Sequence, residues 1–237
     1  MNSCKNLPAQ RLAAEAMRRV AARLRPGLSE AGVARMAADE MLSLGAEGWW
    51  YHGVAALVLA GPQRSLVSVS GREYTPREDI LLGRDDLVTI DLSPVLNGAW
   101  GDYARTIYLE NGRPLLEPAA PARPAFAQGY AMQLRLHREL AEWAAPNTKY
   151  EEVWQRMNAL LQREGWQNLD LHGNLGHSIE DDPAKRIYLE QGNAATLGGY
   201  GRPFTFEPHI CRTGGSWGFK REQIYVFEQS GRLVPLE

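Results

Sequence analysis

The chain reads as an α+β protein made of two similar halves, each a helix pair followed by strands, folded into one sheet with helices on one face. Three observations carry that expectation. Apolar residues recur at three- and four-residue spacing in two separate blocks. Short β-branched segments bounded by Gly, Pro and Asn follow each block. The two helical blocks also echo each other: Arg25 to Trp49 and Ala145 to Trp166 share a Pro stop, an Arg-Met pair and a closing Gly-Trp.

Taken in order, Gln10 to Arg25 is an amphipathic helix that Pro26-Gly27 stops. Ser29 caps a second helix, Glu30 to Leu44, which ends at Gly45. LVLAG, LVSVS and DLVTIDLSPVL read as strands, and Asn97-Gly98 as the tip of a hairpin joining Asp86–Pro94 to Gly101–Leu109. The Pro- and Ala-rich passage from Pro114 to Pro124 connects the halves. A long helix then runs from Pro124 to Ala144. Thr148 with Glu151 makes a capping box for a fourth helix closing at Gly165. Strand-like pieces follow at NLDLHG, RPFTFEPHI and EQIYVFEQ.

At 237 residues, 44% of them hydrophobic, the chain is long enough to bury a sizeable core unaided. A net charge of -2 with interspersed signs argues against nucleic acid as a partner. Cys4 and Cys211 are too few for a disulfide framework or a CxxC-type metal site. The N-terminus lacks the apolar stretch of a secretory signal, and no run approaches the ~18 apolar residues of a spanning helix. The expectation is a soluble, cytoplasmic protein with no membrane partner.

Five residues form the candidate chemistry. Asp91 lies on the apolar strand VTIDL, where an unpaired carboxylate is costly to bury. Asp102 starts the returning hairpin strand, eleven residues on. Glu207 in FTFEPHI and Glu222 in FKREQIYVF repeat the arrangement, and His177 sits in the Gly-bounded loop NLGHSIE. Four converging carboxylates need cations. Two divalent ions balance them, and an imidazole beside carboxylates suits Mn, Fe, Co or Zn better than Ca or Mg. The competing expectation is that arginines such as Arg105 or Arg221 compensate each acid.

The segments Asp85 to Ile107, Gly201 to Ile210 and Arg221 to Leu236, with Gly176-His177, resemble the M24 metallopeptidase family of methionine aminopeptidase, aminopeptidase P, prolidase and creatinase. The resemblance spans nearly the whole chain. It implies the pita-bread fold, a pseudo-twofold pair of halves around a curved, mainly antiparallel sheet. It further implies one catalytic domain over residues 1–237, with halves at about 8–112 and 123–237, in the short single-domain branch. It implies Asp91, Asp102, His177, Glu207 and Glu222 as ligands of two metal ions, with Glu207 as the base. Tyr51 and His52 resemble a Tyr-His-Gly stretch lining the family's substrate pocket, and a homodimer is compatible with the likeness.

Two of the family's histidines have no counterpart. One falls in the stretch Ser68 to Pro76, where Glu73 and Tyr74 stand, and the other at Ala184. His52, His209 and His172 are the candidates to take over substrate contacts; His209, two residues after Glu207, is expected to face the same side of a strand. Trp100 and Trp217 flank the ligand strands as candidate pocket lining, and His137 is expected to pack or lie at the surface. TLGGYGRP lacks the Lys-Ser/Thr end of a phosphate loop. Ser70 and Ser216 lack a nucleophile-elbow setting.

Three functions follow. The first is a metal-dependent hydrolase of a small peptide, amide or amino-acid conjugate. The second is a non-hydrolytic di-iron or di-manganese enzyme doing redox or lyase chemistry on an amino acid-like molecule, in specialised biosynthesis. The third is a non-enzymatic binding module.

Overall fold

The computed structural model describes residues 4–237, apart from the side chain of Tyr200. Helices α1 (Leu7–Arg23) and α2 (Glu30–Ser43) open the chain. Strands β1 (Gly48–Trp49) and β2 (Ala56–Ala60) follow, then the one-turn helix α3 (Gly61–Ser65). β3 (Asp86–Leu92), β4 (Pro94–Leu96), β5 (Ala99–Trp100), β6 (Tyr103–Glu110) and β7 (Arg113–Pro114) complete the first half. The order restarts with α4 (Pro124–Trp143), α5 (Tyr150–Arg163) and β8 (Trp166–Asn168). β9 (Phe204–Phe206), β10 (His209–Arg212), β11 (Gly218–Lys220), β12 (Gln223–Phe227) and β13 (Leu233–Pro235) finish it.

The helices form where periodicity places them. α1 buries Leu12, Ala13, Ala16, Met17 and Val20 on one face, and Ser29 Oγ accepts the Gly32 N–H at 3.0 Å to cap α2. The cap of α5 falls one residue later than expected. Thr148 Oγ1 is taken by the Ala145 N–H inside the Pro146 turn, so the Lys149 N–H, rather than that of Thr148, is held by Glu152. LVSVS is not a strand: Pro62 suits the first turn of a helix, so the chain coils into α3 and then runs as a loop. The hairpin tip is as read, with Asn97 and Gly98 at φ 53° and 67° and Leu96 paired with Ala99.

The two halves repeat one another in their backbone hydrogen bonds. Leu82 N–H donates to Leu28 O at 2.9 Å, and Leu197 N–H to Thr148 O at 2.8 Å. Glu30 N–H donates to Ile80 O, and Tyr150 N–H to Ala195 O. Each helix pair thus anchors the same return segment of its own half.

The strands pair in four antiparallel groups, β2-β3-β6-β7, β9-β12-β13, β8-β10-β11 and β1-β4-β5. The first two meet where Arg105 bridges Arg221 and Glu222 N–H donates to Ala104 O at 2.9 Å. One apolar core lies under α1 and α2, with Val58, Ile90 and Leu109; the other lies under α4 and α5, with Met157, Phe204 and Phe206. The seam between these cores carries the polar side chains. No helix among the described residues is long and apolar enough to cross a membrane.

Candidate metal centre

Strand parity brings the acids together. Asp91 pairs with Ala104 across β3 and β6, and Asp102 lies two residues before Ala104, on the same face. Ile90 and Leu92 turn the other way, into the core under α1 and α2. Gln223 pairs with Phe206, so one further step along that register sets Glu222 opposite Glu207. Glu222 N–H donates to Ala104 O, which draws the second pair of acids against the first.

His177 enters from the loop before β9. Its N–H donates to Thr205 Oγ1 at 3.0 Å, and its carbonyl accepts Thr205 N–H at 2.7 Å. The ring Nδ1–H donates to the Ser178 carbonyl, 3.0 Å away. The ring's other nitrogen, Nε2, then faces Asp102 Oδ2, at 3.3 Å, and Glu207 Oε1, at 3.6 Å.

Donor atoms of Asp102, His177 and Glu222 lie within 4.8 Å of one another, and so do those of Asp91, Glu207 and Glu222. Glu222 belongs to both groups. It is 1% exposed, and neither carboxylate oxygen has a hydrogen-bond partner among the described residues. Burial, then the charges of Asp102 and Glu207, push its carboxyl well above the usual carboxylate range. Burial likewise pushes Asp102 up to about 6, against the pull of His177. A buried carboxylate with orphaned oxygens that belongs to two clusters of donors, one of them with an imidazole, makes a donor set that fits divalent ions.

Arg105 and Arg221 do not compensate the five. Both guanidinium groups turn to Glu117, and Arg105 also donates to the carbonyl of Glu222. The cation among the acids is Lys220, which sequence reasoning passed over. Its Nζ lies 2.6 Å from Asp91 Oδ2, 2.8 Å from Glu207 Oε2 and 4.0 Å from Glu222 Oε2. Burial opposes that charge, but the three acids hold the ammonium well above its ordinary value. Burial raises Glu207, yet Lys220 and His177 outweigh it and leave its carboxyl below the usual range. The signal was available: Lys220 stands two residues before Glu222, on the same side of an extended chain.

A cavity of about 1010 Å³ opens over the acids. Tyr51, His52 and His172 line it, as do Ala184 and, from the stretch Ser68 to Pro76, Glu73. His52 is held at φ 52° on the exposed rim. Arg186 also lines the cavity and stacks over the Trp50 ring at 4.5 Å.

Three expected site residues, His209, Trp217 and Trp100, do not line the cavity. His209 does not share the cavity: its Nε2–H donates to Ser65 O at 2.7 Å, and it lines a separate small pocket of about 50 Å³ with Asp91 and Lys220. Pro208 ends the alternation between β9 and β10, so the two-residue rule does not carry across it. Trp217 packs edge-on against Phe126, 5.0 Å away, beside the second core. Trp100 sits behind the centre, against Trp50 and the His177 ring, with Nε1–H donating to Glu180 O. His137 is buried between Tyr225 Oη and Arg221 O.

Solved structures share this fold. X-Pro aminopeptidase from Thermotoga maritima superposes with a TM-score of 0.77 at 18% identity, over 98% of this chain and 59% of its own. Prolidase from Pyrococcus furiosus gives 0.74 at 21% identity, over 97% and 61%. Methionine aminopeptidase from Thermotoga maritima gives 0.76 at 16% identity, over 98% and 94%. This chain thus spans about three fifths of the X-Pro aminopeptidase and prolidase structures and nearly all of the methionine aminopeptidase. No curated protein matches its sequence. The sequence profile of metallopeptidase family M24 matches residues 7–229, and with the pita-bread architecture this places the chain in metallopeptidase family M24.

Proposed function

We propose that this protein is a metal-dependent hydrolase of a small peptide, amide or amino-acid conjugate, with Asp91, Asp102, His177, Glu207 and Glu222 as metal ligands. The observation that carries the reading is Glu222, which belongs to both donor groups and whose two oxygens have no hydrogen-bond partner among the described residues. The imidazole in the set favours Mn, Fe, Co or Zn. Residues 1–237 act as one catalytic domain, with halves at about 8–112 and 123–237.

A bound divalent ion supplies a water acidified towards neutral pH and polarises the attacked carbonyl. The protein's own residues do the rest. Glu207 is the proton carrier: it lines the cavity, and Lys220 keeps its carboxyl ionised. His52 and His172, on the cavity wall, orient the substrate in place of the family's two outer histidines. The cavity is large enough to admit a dipeptide-sized molecule.

A second reading draws on Glu73 and Ala184, which put no histidine at those two wall positions. On that reading a di-iron or di-manganese centre does redox or lyase chemistry on an amino acid-like molecule. Assaying dipeptide and aminoacyl-amide cleavage beside oxygen consumption, with Mn, Fe or Co added in turn, separates the two. The hydrolase reading expects amide cleavage that Glu207→Gln lowers by about two orders of magnitude or more. Oxygen-dependent turnover without amide cleavage overturns it.

A further inference from the structure

The two donor groups are not equivalent. Asp102, His177 and Glu222 are all buried and include the imidazole. Asp91, Glu207 and Glu222 carry three carboxylates, and the Lys220 ammonium already stands among them, at 2.6, 2.8 and 4.0 Å. The two shorter distances are those of charge-assisted hydrogen bonds.

Lys220 is fixed from behind. Its backbone N–H donates to Thr106 Oγ1 at 2.8 Å, and the same hydroxyl lies 3.1 Å from the Lys220 carbonyl and 2.9 Å from Thr89 Oγ1. This threonine pair joins β3 and β6 to β11, so the lysine's Cα is set by three strands. Its side chain is only 16% exposed and has little solvent to retreat into.

We propose that the Lys220 ammonium takes the charge-balancing place of one of two metal ions. The protein then holds one divalent ion tightly, at Asp102, His177 and Glu222, and admits a second only by displacing the lysine from Asp91 and Glu207. The inference rests on the metal-site reading above and makes that site asymmetric. Displacement breaks two charge-assisted hydrogen bonds and leaves an ammonium beside a dication. The second ion therefore binds at least about 100-fold more weakly than the first.

The test is calorimetric binding of Co2+ and of Mn2+ to metal-stripped protein, with bound metal counted by elemental analysis after dialysis. Wild type is expected to take one tight ion per chain. Lys220→Met takes two of comparable affinity, while Lys220→Arg, which keeps a cation, still takes one. Asp91→Asn retains the tight ion and Asp102→Asn loses it. Two wild-type ions with affinities within tenfold, a single ion in a folded Lys220→Met, or loss of the tight ion in Asp91→Asn each overturn the proposal. If Lys220→Met does not fold, the wild-type stoichiometry and Asp91→Asn decide. Wild type that binds neither metal overturns the metal-site reading itself, a different result from binding two.

Discussion

Gln10 and Asp102 share two hydrogen bonds: Gln10 Nε2–H donates to the Asp102 carbonyl, and the Asp102 N–H donates to Gln10 Oε1, both at 2.9 Å. The first helix thereby holds the backbone of a candidate ligand. The approach is close, since a Cβ on Gly101 would stand 2.7 Å from Ala9 O. Gln10→Leu leaves the Asp102 N–H and carbonyl without these partners, in a site where Gln10 is 1% exposed. The expected cost is about 2–4 kcal/mol of stability, together with weaker metal binding. Urea unfolding with and without added Mn2+ measures both, and an unchanged midpoint in each would contradict the role.

Gly176 lets His177 approach β9. Its φ is 146°, and a Cβ there would overlap the Thr205 carbonyl oxygen. Gly176→Ala is expected to lose about 1–3 kcal/mol from backbone strain and to shift His177 off the acids. Native-like metal binding in a folded Gly176→Ala protein would show that the close approach is dispensable.

Gly129 sits inside α4, where Ala favours a helix by about 1 kcal/mol. Its bare backbone faces the ring of Phe219, which a Cβ would overlap, and Phe219 is the neighbour of Lys220. Gly129→Ala is therefore expected to destabilise, by about 1–3 kcal/mol, against its helix propensity. A raised melting temperature would mean that Phe219 moves aside freely.

Two histidines make the fold sensitive to acid. Burial holds His209 down to about 4, and burial with the nearby charge of Arg221 holds His137 well below its ordinary value. The unfolded chain takes up protons near pH 6.5 that the folded chain refuses. Their contribution is thus complete above pH ~6.5 and is lost as pH falls towards 4, at about 1.4 kcal/mol per pH unit for each. Unfolding free energies at pH 6.5 and 5.0 should differ by about 2 kcal/mol less in His209→Gln than in wild type. Equal slopes would mean that His209 titrates normally in the fold.

Much of this was legible in the residues, and the misses have physical causes. The duplicated helix pairs and the Asn97-Gly98 hairpin were readable because period and turn chemistry are local. The four acids and the histidine that converge were readable because Asp91, Asp102, Glu207 and Glu222 lie on or beside strands, where parity fixes a face. Lys220 obeyed the same parity and was missed because acids and histidines alone stood as metal ligands and arginines alone as their counter-charges. The parity argument failed for His209, where Pro208 interrupts the strand, and neighbourhood in sequence failed for Trp217, which turns towards Phe126. Gln10 could not be read, since its role exists only once α1 meets Gly101.

The metal content of purified protein beside that of Asp102→Ala tests the central claim most directly. Both would be loaded with Mn2+ or Co2+, dialysed and measured by elemental analysis, with circular dichroism confirming the fold. With Lys220 in the place of the second ion, the five-residue centre predicts about one tightly held ion per wild-type chain and a near-complete loss in the variant. Wild type that carries no more metal than Asp102→Ala would contradict the centre, and with it the proposed hydrolase.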